Sequence, residues 1–388
     1  MISARCLRKR KYLILAMLFK EVVGQQEVKS RMIHEINSEK ISHAQLFLGQ
    51  TGYGSFALAL AYIQYLFCEN RTESDACGVC PSCQKNHHLS HPDVHFVFPT
   101  VQAISKTADP MLKEWRDMVK KSPYFDLNDW INFTDDKGRR PIIGTDESKE
   151  LLHKLSLMSY EGGFKVVVIW MAEEMNTAFS NKILKTLEEP SAKTLLILVV
   201  ENGSAILPTI LSRTQIRKIP RLQFSEVEEY TKRISDLPQG EIVSLVARVE
   251  GDICAVRASI GNVEAENGNR ELFIELMRSA FKKNVIEMMD WADKIATIGR
   301  EQQKIFLEYA VHMCRQSILK NYTDDQLTRV SNEEAAFLKN FAKFITGNNI
   351  VDFMKIFSES HYEIERNANP KILFTHLAFR AMRFIHFA

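Results

Sequence analysis

The hydrophobic positions of the chain form short apolar runs over the first 220 residues and longer helical patterns after them. The short runs predict five strands, at Ala44–Leu48, Asp93–Phe98, Phe164–Trp170, Thr194–Val200 and Thr214–Ile219. The Phe164–Trp170 run is β-branched and too apolar for a surface helix, which indicates a central parallel strand. Because helical patterns alternate with the strands, the sequence predicts an α/β fold with a doubly wound parallel sheet.

Three segments fall outside this alternation. Residues 100–141 are polar and irregular, apart from an amphipathic centre at Met111–Trp115, and we interpret them as an insertion of unassigned role. Residues 221–261 contain charged and apolar positions at helical spacing and predict a small helical lid. The pattern stays helical over residues 262–388, so we expect a separate all-α domain there.

A glycine-rich loop follows the first predicted strand and precedes an apolar helix, as phosphate-binding loops do. Its glycines are Gly49, Gly52 and Gly54. In a P-loop, backbone N–H groups surround the phosphates, a Lys neutralises them, and a Ser or Thr hydroxyl holds Mg²⁺. Here Ser55 stands in place of the Lys and Phe56 in place of the hydroxyl. We therefore expect a degenerate loop that does not bind ATP productively, with an unrelated glycine-rich turn as the alternative.

The end of the third predicted strand has lost its acidic residues as well. In a P-loop ATPase such a strand ends in Asp, then usually Glu, to hold Mg²⁺ and polarise the attacking water. This chain has Trp170 and Met171 there. Glu173 and Glu174 come later, where we expect them to open the next helix and favour its positive end. With both metal-binding elements altered, the sequence indicates a fold that does not hydrolyse nucleotide.

Four cysteines have the spacing of a zinc site, C-x8-C-x2-C-x2-C. They are Cys68, Cys77, Cys80 and Cys83, and residues 68–83 form a candidate zinc module. Four thiolates at such separations can converge on one Zn²⁺, and a four-thiolate site is closed to water and therefore structural. A pair of disulfides or unrelated free thiols is the alternative, which the absence of a convincing secretory signal disfavours. Neighbouring histidines are also candidate ligands, but we expect them to be loop and strand residues: His87, His88, His91 and His95.

Composition limits the function without identifying it. The chain has 388 residues, 45% hydrophobic and 25% charged, enough for two or three ordinary domains. A formal net charge of +2 gives no general electrostatic footprint for DNA. DNA contacts would need local patches such as Lys182 and Lys185 or Arg139 and Arg140, which otherwise are solvated surface charges.

The N-terminal residues resemble a signal peptide only superficially. The basic run Arg8–Lys11 is followed by a short apolar run, Tyr12–Ala16, without a cleavage site of small residues before Gly24. Met17 is a plausible start, so residues 1–16 are expected to be an extension or a start artefact. Because no stretch reaches the roughly 20 apolar residues that span a bilayer, we expect a cytoplasmic protein without membrane contact.

Together with the glycine loop and the cysteines, further segments make the chain similar to a known family. They are Phe19–Gln25, Ser42–Ala44, Leu187–Pro190 and Leu207–Gln215. In this order they resemble the delta-prime family of bacterial DNA polymerase III clamp-loader subunits, within the AAA+ superfamily. The resemblance covers residues 18 to 220 well, whereas the remainder matches in length and helical character.

The resemblance implies an architecture and a set of partners. It implies an AAA+ P-loop-type domain over residues 17–220, a helical lid, and a C-terminal all-α collar through which five subunits associate. The implied partners are gamma/tau-type and delta-type clamp-loader subunits, primed DNA within the assembled complex and, indirectly, the sliding clamp.

The resemblance also assigns a role to Arg213. In clamp loaders an arginine in a Ser-Arg-Cys segment acts in trans on the γ-phosphate bound by a neighbouring subunit. Here the segment is Ser212-Arg213-Thr214, which keeps the arginine. Without the family context, Arg213 is expected to pair with a carboxylate or to cap residues 208–211. The arginine that ATPases of this family carry in the lid is replaced by Cys254, and Arg257 lies one helical turn further on.

The sequence thus predicts an ATPase-inactive clamp-loader subunit that supplies Arg213 to a neighbouring ATPase during DNA replication. One alternative is an active AAA+ motor subunit of the gamma/tau type with an unusual loop. A second alternative is a stand-alone zinc-containing DNA-binding module.

Overall fold

The computed structural model of the protein describes residues 18–261, 263–323 and 327–386. They form two compact units. The first unit contains the chain up to Val227 together with Gly251–Cys254, and the second contains Glu228–Glu250 and the chain from Ala255 onwards. The predicted extension at residues 1–16 lies outside the described residues.

A five-stranded parallel sheet forms the centre of the first unit, which confirms the predicted fold class. Its strands are β1 (Ala44–Leu48), β2 (Val94–Val97), β3 (Lys165–Trp170), β4 (Thr194–Val200) and β5 (Gln215–Lys218). They lie in the order β2-β3-β4-β1-β5, and each neighbouring pair is parallel. The strands β3 and β4 are buried along their whole length, which explains their continuous apolar sequences, whereas the edge strand β5 is mostly exposed and polar.

The register of the sheet brings three chain segments together at one edge. Leu48 at the end of β1 pairs with Val200 at the end of β4, and Val199 pairs with Trp170 at the end of β3. The segments that follow these three residues therefore leave the sheet side by side. In open parallel sheets this carboxyl edge is where ligand sites form.

Helices cover both faces of this sheet. In the first unit they are α1 (Gln26–Asn37), α2 (Ser55–Phe67), α3 (Pro81–His87), α4 (Leu112–Lys121), α5 (Leu127–Thr134), α6 (Thr145–Ser156), α7 (Thr177–Glu188) and α8 (Pro208–Leu211). The helix α2 is apolar on nearly every side and is buried from Ser55 to Tyr65, as expected for a helix enclosed by its neighbours. Short 3-10 turns occur at Phe19–Glu21, Thr51–Tyr53, Asp109–Met111, Ala172–Glu174 and Gly203–Ala205.

The insertion at residues 100–141 is more regular than its sequence suggests. It contains α4 and α5, and the side chains of Trp115 and Trp130 are buried in the first unit. Asp126 caps α5 by accepting a hydrogen bond from the N–H of Asp129. The prediction of an irregular stretch was wrong. These helices are short and expose polar faces, so the sequence is polar on average although each helix buries a few large residues.

Helices and their connections make up the described residues of the second unit. A helix at the boundary, α9, spans Phe224–Ile234. The others are α10 (Gln239–Arg248), α11 (Ile253–Gly261), α12 (Val263–Lys282), α13 (Val285–Ala296), α14 (Arg300–Tyr322), α15 (Asn332–Phe341), α16 (Ile350–Glu365) and α17 (Pro370–His386), with a 3-10 turn at Ala342–Phe344. Aliphatic side chains form most of its core, and aromatic residues contribute to it, among them Phe273, Trp291, Phe306, Phe353 and Phe374. The division into domains at residues 220 and 261 stays a prediction.

None of the described helices is both long enough and apolar enough to cross a membrane.

Candidate functional site

The glycine loop connects the end of β1 to the start of α2, which is the place of the phosphate-binding loop in the P-loop pattern. It leaves β1 at Gly49, whose N–H donates to the carbonyl of Val200 at 3.0 Å, and it ends where α2 begins at Ser55. The turn into α2 is made by Gly54 at a φ of +94°, a conformation that residues with a Cβ rarely adopt. The loop therefore curls over the N-terminus of α2, where backbone N–H groups can bind an anion.

The two residues that replace the P-loop Lys and hydroxyl both turn inward. Ser55 is buried, and its Oγ donates to the carbonyl of Gly49 at 3.4 Å. Phe56 is buried against aromatic rings, with centroid distances of 5.4 Å to Trp115, 5.8 Å to Phe125 and 6.4 Å to Trp170. Neither side chain offers a charge or a metal ligand to the loop.

The end of β3 completes the same aromatic cluster, which we define as Phe56, Trp115, Phe125 and Trp170. The ring centroid of Trp170 lies 5.2 Å from that of Trp115 and 5.0 Å from that of Phe125. Two of the four rings come from the insertion. The aromatic cluster thus contains Phe56 and Trp170, the two residues that the sequence predicts to stand in place of the Mg²⁺-binding hydroxyl and acid of an ATPase.

A carboxylate already occupies part of the anion-binding loop. The N–H of Thr51 donates to Oε1 of Glu201, the first residue after β4, at 2.8 Å. Burial raises the pKa of Glu201 to about 7, although the hydrogen bond from Thr51 opposes the shift. The contact occupies the N–H of Thr51 and places an acidic group in the glycine loop.

The prediction for Glu173 and Glu174 was wrong. Both lie in the 3-10 turn after β3, and α7 begins only at Thr177, where the side chain of Asn176 caps it. Oε1 of Glu173 accepts from the N–H of Glu201 at 2.8 Å, and Glu174 pairs with Arg140 at 2.9 Å. The extra turn separates them from α7, because Met171 enters the left-handed region at a φ of +53°.

A further acidic residue borders the loop from the segment that the sequence assigned to the lid. A Cβ added to Gly52 would overlap Oδ1 of Asp252, so this carboxylate packs directly on the loop backbone. Burial and the negative charges of Asp252 and Asp126 raise the pKa of the Cys254 thiol well above its usual value. At the position where the resemblance implies a lid arginine, this chain has Cys254, a neutral thiol among acidic residues. Arg257 donates instead to the hydroxyl of Tyr230 at 3.3 Å.

Arg213 lies just after α8 and is partly exposed. Its Nη2 lies 2.6 Å from Oε1 of Glu188, and its Nη1 donates to the carbonyl of Thr209 at 3.0 Å. The side chains of Arg213 and Glu188 are 37% and 49% exposed. Within this chain the arginine therefore makes the contacts expected without the family context, while part of it faces outward.

The four cysteines of the zinc module converge. The sulfur atoms of Cys68, Cys77, Cys80 and Cys83 all lie within 4.8 Å of one another, with 3.9 Å between Cys77 and Cys83. Tetrahedral coordination at a Zn–S distance of about 2.3 Å requires sulfur–sulfur separations of about 3.8 Å. Cys80 also caps α3 by accepting from the N–H of Cys83, and Pro81 takes the first helical position.

Local hydrogen bonds suit these cysteines to metal binding. The Sγ of Cys77 accepts from the N–H groups of Val79 at 3.5 Å and Cys80 at 3.4 Å, which lowers the pKa of this thiol to about 6. Burial raises the pKa of Cys68 and Cys83. Across residues 18–261, 263–323 and 327–386, these cysteines are the only group of three or more metal-type ligands that converges. None of the nearby histidines joins them.

In one of the two candidate DNA-contacting patches, the arginines form ion pairs with carboxylates of the same chain. Arg139 pairs with Asp135 at 2.8 Å, and Arg140 with Glu174. The other patch, Lys182 and Lys185, lies on α7.

Sequence reasoning missed three contributors to the glycine-loop site: Glu201, Asp252 and the insertion. The hydroxyl of Tyr124, in the insertion, accepts from the N–H of Val23 at 2.9 Å, and a Cβ added to Gly54 would lie 3.3 Å from the Tyr124 ring. The only indication of Glu201 in the sequence was its position directly after a predicted buried strand.

The chain is similar to subunits of bacterial DNA polymerase III. The profile of the family described as "DNA polymerase III, delta subunit" matches residues 24–223, just over half of the chain. A protein named DNA polymerase III subunit delta' from Pseudomonas aeruginosa is 31% identical over 172 residues, which are 44% of this chain and 41% of that protein. Its namesake from Bacillus subtilis is 26% identical over 205 residues, which are 53% of this chain and 50% of that protein. The match thus spans no more than half of these relatives.

Weaker similarities extend over more of the chain. The protein named DNA polymerase III subunit tau from Bacillus subtilis is 21% identical over 379 residues, which cover 92% of this chain and 60% of that protein. A solved structure of a gamma-subunit-related protein from Thermotoga maritima is 14% identical and covers 93% of this chain and all of that chain, with a TM-score of 0.40.

Proposed function

Because the chain belongs to the family described as DNA polymerase III, delta subunit, and is of the delta-prime type, we propose that it is a clamp-loader subunit without ATPase activity of its own. It acts by supplying Arg213 to the ATP site of a neighbouring subunit. Its partners are clamp-loader subunits of the gamma/tau and delta types, with primed DNA in the assembled complex and the sliding clamp contacted indirectly. Its compartment is the cytoplasm.

The observation that carries the proposal is the hydrogen bond from the Thr51 N–H to Glu201 in the glycine loop. A triphosphate needs free N–H groups and a cation, and here one N–H is taken by a carboxylate and the cation is replaced by buried Ser55. Asp252 beside Gly52 adds a second acidic group. Like charges at a few ångströms oppose phosphate binding strongly in a partly buried site.

Measurements on the isolated protein test the absence of ATPase activity. We expect no Mg-ATP binding by calorimetry and no turnover above background. The variant Ser55→Lys should stay inactive, because the ammonium alone neither displaces Glu201 nor restores an acid at Trp170. Turnover that co-purifies with the protein and is abolished by Thr51→Pro, which removes the loop N–H, would favour the gamma/tau-type motor instead.

The trans role of Arg213 rests on its exposure and on the chemistry of the guanidinium. A planar fork can donate two hydrogen bonds to the oxygens of a phosphoryl group, and such donation in trans accelerates hydrolysis at the recipient site. A subunit can lose its own ATPase and still provide this group.

The test is the DNA- and clamp-stimulated ATPase of a reconstituted complex. Arg213→Ala should leave assembly intact and slow turnover at the adjacent site alone, and Arg213→Lys should rescue poorly because a point charge does not reproduce the fork. An unchanged rate in a fully assembled Arg213→Ala complex would show that this arginine is structural only.

We also propose that the four cysteines hold one structural Zn²⁺. The support is their mutual separation, their N–H···S hydrogen bonds and the thiolate chemistry of the set. Bound Zn²⁺ would fasten the end of α2 to the start of α3 and add folding free energy without taking part in a reaction.

A further inference from the structure

The segment Leu187–Pro190 at the end of α7 contacts two other segments on which the family resemblance rests. The carbonyl of Leu187 lies 2.9 Å from Nε2 of His43, and Glu188 pairs with Arg213. Pro190 follows Glu189, the C-cap residue of α7. The end of α7 is therefore fixed both to the start of β1 and to the proposed trans arginine.

Two acceptors on two different helices hold the guanidinium of Arg213. Its Nη2 is bound by Glu188, the last residue of α7, and its Nη1 by the carbonyl of Thr209 in α8. Because separate nitrogens are bound at 2.6 Å and 3.0 Å, both the position and the plane of the group are defined. A long, flexible side chain thus loses much of its rotamer freedom before any phosphate arrives.

These two contacts leave donors for an external anion. A guanidinium carries five N–H groups, and its contacts to Glu188 and Thr209 use only part of them. The side chain is also 37% exposed. The group can therefore stay bound to Glu188 on one edge and face outward on another.

We propose that Glu188 is a positioning residue that holds the Arg213 guanidinium in the orientation required to reach a phosphate on a neighbouring subunit. The inference rests on the proposed trans role of Arg213, and it assigns to Glu188 the side-chain contact that orients this group beside the carbonyl of Thr209. Orientation fixed before the reaction lowers the cost of reaching the transition state.

A purely structural role for the same ion pair makes a different prediction. A carboxylate in the last turn of a helix is unfavourable beside the negative end of the helix dipole, and Arg213 relieves this. If that were its whole function, loss of Glu188 would change the stability of α7 and leave the neighbour's turnover unchanged.

The experiment is a double-mutant cycle in the reconstituted clamp-loader complex, with assembly checked for each variant. Glu188→Ala should lower the stimulated kcat about two- to five-fold, the range that an exposed carboxylate–guanidinium pair supports, at unchanged KM for ATP. Glu188→Gln should keep most of the rate, because its Oε1 still accepts from Nη2. In an Arg213→Ala background, Glu188→Ala should cause no further loss.

Glu189→Ala is the matched control, since Glu189 is the adjacent exposed carboxylate and makes no ion pair with the residues that the structure describes. It should leave the rate unchanged. A normal rate for Glu188→Ala beside a slow Arg213→Ala complex would overturn the positioning role and leave the trans role standing. Equal losses from Glu188→Ala with and without Arg213 would also overturn it. A normal rate for Arg213→Ala would overturn both the trans role of Arg213 and the positioning role of Glu188.

Discussion

A single carboxylate distinguishes this glycine loop from a P-loop that has merely lost its Lys. Glu201 accepts the N–H of Thr51, and Glu173 in turn accepts the N–H of Glu201. The N–H of Thr51 in the loop is therefore linked through Glu201 to Glu173. Restoring the missing Lys does not remove these contacts.

The pH dependence of stability should report on Glu201. Its pKa in the folded protein is raised to about 7 by burial, so between the ordinary value of 4.5 and about 7 the folded state binds a proton that the unfolded state has lost. Stability contributed by this group therefore falls as pH rises through that window. Glu201→Gln, which can still accept from Thr51, should flatten the fall.

The measurement is the free energy of unfolding by urea at several pH values between 4.5 and 8. Glu147, whose pKa burial also raises to about 7, contributes a similar slope to both proteins and cancels in the comparison. Glu189→Gln serves as an exposed control. An identical pH profile for wild type and Glu201→Gln would mean that Glu201 is ionised in the folded protein throughout.

At the residue scale, the sequence predicts most firmly what a motif fixes. The predicted replacements at Ser55 and Trp170 rest on the strand, loop and helix, which determine where a P-loop Lys and an acid would stand, and they stay predictions. The role of Glu201 depends on which strand lies beside β1, and this neighbour is β4, about 150 residues away along the chain. No local pattern carries that information.

At the scale of elements, the insertion and the zinc module are two segments of the first unit that lie outside the five strands of the sheet. The insertion supplies Trp115 and Phe125 to the aromatic cluster. The strands β3 and β4 were predicted well because burial on both faces produces continuous apolar runs. The helices α4 and α5 were not, apart from the amphipathic centre at Met111–Trp115, since they are short, they lie in a mostly polar stretch, and their burial depends on a site formed by distant residues.

In the zinc module, a substitution of Cys80 can keep its role at the start of α3 and remove its proposed role as a zinc ligand. Cys80 is a proposed zinc ligand and also the N-cap of α3. Serine is itself a good N-cap, so Cys80→Ser should keep the helix start and lose the thiolate. We expect loss of bound zinc and a thermal unfolding temperature lower by several degrees, because metal binding is coupled to folding.

Elemental analysis and thermal unfolding of both proteins, prepared without chelator, provide the measurement. Cys254→Ser is the control, because Cys254 lies outside the cysteine cluster and its replacement should keep one zinc per chain. Wild-type protein without zinc would end the proposal.

At the scale of the whole molecule, the family match and the site lie in the same unit. The matched residues 24–223 fall within the first unit, which contains the sheet, the cysteine cluster and Arg213. The described residues of the second unit are helical and lie outside the range that the family profile matches. Their resemblance to the family is limited to length and helical pattern. Their use as a collar between five subunits is therefore a proposal about assembly that rests on the family resemblance.

The charge of the whole chain predicts how it behaves with DNA when alone. The 50 Lys and Arg residues are nearly balanced by 48 Asp and Glu residues, and Arg139 and Arg140 are paired with carboxylates of the chain. Since nonspecific affinity comes from neutralised phosphates and released counterions, few such contacts mean weak binding with a shallow salt dependence.

We expect the isolated protein to bind primed duplex DNA with a dissociation constant no tighter than about 10⁻⁶ M at physiological salt, independently of sequence. Fluorescence anisotropy at several salt concentrations measures both the affinity and the slope. Lys182→Ala with Lys185→Ala should weaken any residual binding, whereas Arg139→Ala should not, because the Arg139 guanidinium already pairs with Asp135. Tight, sequence-dependent binding by the isolated chain would instead support the zinc-containing DNA-binding module, and the chain would then contact DNA without its partner subunits.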